Sequence, residues 1–83
     1  MKELDEIIVK IKQVLEAKEQ EIDMAASAST YAHSTLENRK LEVALFENSA
    51  KHVTTDPTQK SNIIANFEKD AERLINDIKN IEV

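Results

Sequence analysis

The apolar residues in the last third of the chain recur in steps of three and four positions. Charged and polar residues fill the positions between them. Such spacing keeps one face of an α-helix apolar, whereas a half-buried strand would alternate at every second residue. The pattern therefore predicts an amphipathic helix over about residues 57–82. Its apolar face consists of Ile64, Phe67, Ala71, Leu74, Ile78 and Ile81, with Ile63 and Ile75 beside them.

The start of this helix carries its own signals. Asp56 precedes Pro57, the only proline in the chain, and Gln59 follows three residues after Asp56. Proline is tolerated in the first helical turn and disfavours helical geometry at the residue before it. An acceptor side chain followed three residues later by Gln has the spacing of a capping box. We therefore predict a turn at about residues 54–56, with Asp56 as the N-cap.

The first half of the chain has a similar stripe. Residues 2–23 predict a helix whose apolar face is interrupted only by Lys18. Beyond residue 35, a second set of apolar residues keeps helical spacing, but Leu41 and Leu45 lie off that stripe. Apolar positions over so broad an arc indicate contacts on two sides of this segment.

Residues 24–35 decide between two architectures. The segment has no charged residue at neutral pH and lacks the Gly, Asn, Asp and Pro that helix–helix turns usually contain. Its alanines keep helical spacing, and alanine is the best helix former. We therefore favour one helix over about residues 2–53, kinked at 24–35. The alternative is a turn, with Ser34 and Glu37 capping a separate helix and the chain forming a three-helix bundle.

A continuous helix would leave part of the first stripe uncovered. Residues 2–53 would span about 75 Å, whereas residues 57–82 would span about 39 Å. An apolar surface of that size is rarely left in water, so we expect a second chain to cover it. The predicted fold is a single all-α domain, 1–83, built as a long helical hairpin (or an irregular three-helix bundle). We expect it to assemble as a dimer or higher oligomer with coiled-coil character. The predicted interface comprises Leu4, Ile8, Ile11, Leu15, Ile22, Ala25, Ala28 and Ala32.

The amino-acid composition and charge exclude several classes of function. The 83 residues include no cysteine and no glycine, and the net charge is −5. Without a basic run, we expect no nucleic-acid partner. The acidic N-terminus is unlike a signal peptide and no apolar run reaches membrane-spanning length, so we expect a soluble, cytoplasmic protein without a membrane partner. No nucleophile, glycine-loop or metal-ligand motif is present, and we predict no catalytic residue, metal or cofactor.

Two functions remain open. We favour a non-enzymatic protein-interaction module, a small adaptor, inhibitor or co-chaperone that binds itself and another protein. We base this preference on the apolar surface, which is larger than a chain of 83 residues can cover by itself. The alternative is an oligomer that binds a small ligand, anionic in character, in a polar pocket between chains near residues 27–40. The candidate ligand-binding residues are Tyr31, His33, Ser34, Arg39 and Lys40.

Overall fold

The computed structural model describes residues 2–25, 27, 29–53 and 56–83. Over these ranges all regular secondary structure is α-helical, and the chain forms three helices: α1 (Lys2–Met24), α2 (Thr30–Lys51) and α3 (Lys60–Lys79). They pack side by side into an elongated bundle of 50 × 16 × 15 Å. The all-α prediction is therefore confirmed. None of the three helices combines the length and the hydropathy needed to cross a membrane.

The continuous helix over residues 2–53 is wrong, because α1 ends at Met24 and α2 begins at Thr30. Ser29 between them has an extended backbone (φ −76°, ψ 159°). Its side-chain oxygen accepts a hydrogen bond from the Ala32 amide at 3.1 Å, which satisfies one of the free N–H groups at the start of α2. The N-cap is thus Ser29, and Ser34 lies within α2 instead of capping it. The predicted interface residue Ala28 lies outside the described residues.

The entry to α3 also differs from the prediction. The helix begins at Lys60, with Gln59 as an N-cap that makes no side-chain capping bond. Asp56 Oδ1 instead accepts hydrogen bonds from the Thr58 amide (3.0 Å) and hydroxyl (2.8 Å), and its carbonyl accepts from the Gln59 amide. These local bonds favour a turn over a helix at residues 56–59. Asp56 therefore organises the turn before α3 and does not cap the helix itself.

The core shows how the helices run. One end of the bundle joins Leu4 and Ile8 of α1 to Ala50 near the end of α2. The opposite end joins Ile22 to Ala32 at the start of α2 and to Ile81 just after α3. Consecutive helices are therefore antiparallel, as short connections require, and α3 runs in the same direction as α1. A central cluster lies between the two ends and contains Ile11, Val43, Ala71, Leu74 and Ile78.

This packing removes the reason for a second chain on α1. A helix of 23 residues is about 35 Å long and one of 20 residues about 30 Å, so α3 covers nearly all of α1. The predicted interface residues are already covered within one chain: Leu4, Ile8, Ile11, Ile22 and Ala32 are buried, and Leu15 and Ala25 are half-buried. The length mismatch that suggested an interface there does not exist.

Candidate functional site

The side of α2 that faces away from the bundle carries an uncharged stripe. Successive members are four, three, four, three and four positions apart, the spacing that keeps residues on one helix face. Every member is exposed, and the stripe lies opposite the buried Val43. We call this set the outer stripe. It consists of Ser34, Asn38, Leu41, Leu45, Asn48 and His52.

Two large aliphatic side chains occupy the centre of the outer stripe. Leu41 is 65% exposed and Leu45 is 67% exposed. They lie one helical turn apart, so their side chains are neighbours on the surface. A single exposed leucine is ordinary, but full burial of each would be favourable by about 1.5–3 kcal/mol. Among the described residues of α1, the exposed Val9 and Met24 are far apart along the helix and form no comparable pair.

Charged residues lie beside the outer stripe and form ion pairs with other residues outside the stripe. Glu37 lies 3.2 Å from Lys40, and Lys51 lies 3.1 Å from Glu47. On the other flank, Arg39 Nη1 donates to Glu42 at 2.6 Å.

The hydrogen bonds in these pairs stabilise the charged forms. The bond from Arg39 to Glu42 raises the pKa of the Arg39 guanidinium. Hydrogen bonds from Lys12 and Lys51 lower the pKa of the Glu47 carboxyl. The borders of the stripe therefore carry charged side chains, whereas the stripe itself contains no Asp, Glu, Lys or Arg.

A shallow depression of about 260 Å³ borders the stripe between α2 and α3. Leu45, Phe46, Phe67 and Leu74 supply its apolar lining. The two phenylalanine rings meet edge to face, with centroids 5.3 Å apart and planes at 90°. This arrangement is a favourable aromatic geometry and holds both rings in place. The apolar surface around Leu45 thus extends towards α3.

The predicted ligand-binding residues do not converge within one chain. Tyr31 and Arg39 line a depression of about 440 Å³ together with Asp77 and Glu82. Those two carboxylates make the depression unsuitable for an anionic ligand. Arg39 Nε is shielded from solvent and has no hydrogen-bond partner among the described residues, but its Nη1 is held by Glu42.

The remaining candidates lie elsewhere on α2. Lys40 Nζ contacts Glu19 of α1 at 3.1 Å as well as Glu37. Ser34 belongs to the outer stripe, and His33 is exposed beside it. A pocket using all five residues would need a second chain. Over the described ranges, no group of three His, Asp or Glu side chains is placed to hold a metal ion.

Two features were not assigned from the sequence. Leu41 and Leu45 lie off the apolar stripe of the sequence, and the regular spacing of their uncharged neighbours is the signal that places them on an outer face. Lys18 looked like an interruption of a stripe, yet it is buried and its Nζ donates to the carbonyl of Ile81 at 3.1 Å. Comparison of the chain with protein-family models, with curated proteins and with solved structures gives no match.

Proposed function

We propose that this chain is a non-enzymatic protein-interaction module, an adaptor, inhibitor or co-chaperone that binds a helix through the outer stripe of α2 within an oligomeric helical bundle. The observation that carries the proposal is the adjacent pair Leu41 and Leu45, about two-thirds exposed at the centre of an uncharged helix face. The stability of the single chain does not account for this pair, because neither side chain is buried in it.

The shape of the surface favours a helical partner. Alternating steps of three and four residues are the spacing of a coiled-coil seam, in which each side chain inserts between residues of the facing helix. Helix recognition of this kind uses a few apolar anchors one turn apart, as Leu41 and Leu45 are. The charged residues beside them, such as Glu37 and Lys51, would select the partner and its orientation.

Capture from an extract of the native host tests the proposal. The wild-type chain and the double variant Leu41→Glu/Leu45→Glu would be immobilised, and bound proteins quantified by mass spectrometry. The matched control is Val9→Glu/Met24→Glu, which adds the same charge at two exposed apolar positions of α1. We expect the stripe variant to lose at least about tenfold of the specifically bound protein and the control to retain it.

Circular dichroism would confirm that all three proteins keep the same helical content. Equal capture by the wild type and the stripe variant would refute the proposed surface. Loss of capture by the α1 control as well would show that added charge, and not the stripe, reduces binding.

A further inference from the structure

The residue types of the outer stripe are arranged almost symmetrically about position 43. Leu41 and Leu45 lie two positions on either side of Val43, and Asn38 and Asn48 lie five positions on either side. A twofold-symmetric interface requires a surface that is complementary to itself. We propose that the partner helix is α2 of a second copy of this chain, packed antiparallel about a twofold axis that crosses the outer stripe at the level of residue 43. This inference rests on the proposed function, because it names the occupant of the same surface.

The symmetry places chemically matched side chains opposite each other. Leu41 meets Leu45 of the second copy, and the same contact occurs twice. Asn38 meets Asn48 of the second copy, and two facing amides can each donate and accept a hydrogen bond. At the ends, Ser34 meets His52 of the second copy. An apolar centre with paired amides on either side fixes the register, since a shift by one turn would set Leu against Asn.

The charges beside the stripe favour the antiparallel orientation. With the axis at Val43, Glu37 lies level with residue 49 of the second copy. Lys51 of that copy is then only about 3 Å further along the helix, within reach of a long side chain. Two such oppositely charged pairs form. A parallel arrangement would instead set Glu37 beside Glu42 of the second copy, twice. The antiparallel pair does bring the two Glu42 residues near each other, but this is one like-charged contact against two in the parallel pair, and Arg39 lies 2.6 Å from Glu42 in either arrangement.

The size of the contact predicts reversible association. The outer stripe covers about 27 Å of helix and contains only two leucines per chain. It therefore buries less than a typical stable interface, and the dimer should form in the upper micromolar range instead of persisting at all concentrations. The rest of the bundle does not obstruct the contact, because α1 and α3 pack on the opposite side of α2.

Sedimentation equilibrium over about 5 µM to about 1 mM measures the association directly. We expect the wild-type mass to rise from 9.4 kDa towards twice that value. Leu41→Glu/Leu45→Glu should stay monomeric over the same range, and Val9→Glu/Met24→Glu should associate like the wild type. A wild-type chain that is monomeric at every concentration would overturn the inference.

Single cysteines determine the orientation, since the natural chain has none. In the antiparallel pair, Asn38→Cys lies opposite Asn48→Cys of a second copy, whereas two copies of Asn38→Cys are about 15 Å apart along the axis. A disulfide needs Cα atoms closer than about 7 Å. Oxidation of a mixture should therefore give the mixed dimer, and each variant alone should stay largely reduced. Efficient homodimers from each variant alone would show a parallel pair and overturn the proposed geometry.

Charge reversal gives an independent check in chains that keep both leucines. Glu37→Lys and Lys51→Glu should each weaken association by about threefold or more, and the combined variant should restore it. In a parallel pair, Glu37→Lys would strengthen association instead.

The failure of this inference is distinguishable from failure of the proposed function. A monomeric wild type whose capture of another protein still depends on Leu41 and Leu45 would overturn only the second copy as occupant. A monomeric wild type whose capture does not depend on them would overturn both.

Discussion

Lys18 links the first helix to the end of the chain. It lies on the buried face of α1 and is 9% exposed. Its ammonium group donates to the backbone carbonyl of Ile81 at 3.1 Å and lies 3.1 Å from Glu21 Oε2. Ile81 is itself buried against Ile22 and Leu36. The hydrogen bond therefore holds the residues after α3 in one end of the core.

Lys18→Met isolates that bond. Methionine keeps an unbranched apolar chain of similar length, so little space is left empty. The lost hydrogen bond to a charged donor is worth about 1.5–3 kcal/mol, and part of this is offset because no ammonium group remains to be desolvated. The ion pair with Glu21 contributes little, since that side chain is 57% exposed. We expect a net destabilisation of about 1–2 kcal/mol, or roughly 5–15 °C in Tm.

Urea denaturation followed by circular dichroism would measure the change, at about 5 µM so that association does not contribute. The control Glu21→Gln removes the ion pair but keeps the bond to Ile81, and should cost less than about 0.5 kcal/mol. Faster amide exchange at residues 81–83 in Lys18→Met, but not in Glu21→Gln, would place the effect at the chain end. If Glu21→Gln is as damaging as Lys18→Met, the ion pair and not the carbonyl contact is the stabilising element.

Two further predictions concern the connections between helices. Ser29→Ala removes the acceptor for the Ala32 amide and should lower stability by about 1 kcal/mol, whereas Ser27→Ala in the same connection should be silent in a thermal melt. Hydrogen bonds from the Thr58 hydroxyl and amide hold the pKa of the Asp56 carboxyl below its ordinary value of 3.8. Its stabilising effect is therefore complete above that value and is lost as pH falls through the lowered pKa, so the melting temperatures of wild type and Asp56→Ala should differ at neutral pH and converge in acid as the carboxyl becomes protonated.

The apolar face of α3 was predictable because a long, regular period leaves one choice of face. Ala71, Leu74, Ile78 and Ile81 are all buried, as their spacing predicted. Phe67 is only half-buried and packs edge to face on Phe46, beside the cluster of Leu4, Ile8 and Ala50. The period thus identifies the buried face of the helix but not the depth to which each residue on it is buried.

The break between α1 and α2 was not predictable from turn-forming residues. The absence of Gly, Asn, Asp and Pro from residues 24–35 favours a continuous helix at the level of sequence. Those residues serve chiefly where a connection needs a positive φ angle or a fixed one. None of the described residues has a positive φ, and Ser29 uses ordinary extended geometry. A serine that can cap a helix was sufficient, and the segment contained several serines with no pattern to choose among them.

The candidate surface followed partly from the sequence. Leu41 and Leu45 were placed off the apolar stripe, and contacts on two sides of α2 were expected. The predicted interface nevertheless lies mostly on α1, with Ala25, Ala28 and Ala32 beyond it, because a helix continuous to residue 53 would extend well past the end of α3. Because the first helix ends at Met24, α3 covers α1. The exposed pair of large apolar side chains is instead on α2, at Leu41 and Leu45. The wrong prediction of a continuous helix at residues 24–35 therefore placed the expected interface mostly on α1 and not on α2.

The two faces of α2 explain why this helix, and not its neighbours, is suited to join two chains. Its inner face contributes the buried residues Ala32, Leu36, Val43 and Ala50 to the core shared with α1 and α3. Its outer face is then held at a fixed orientation by a packed core, with the helix backbone already ordered. A partner binding there loses less conformational entropy than it would with a mobile segment. In the proposed dimer, two leucines and two facing amides from each chain can therefore give a specific contact although the buried area is small.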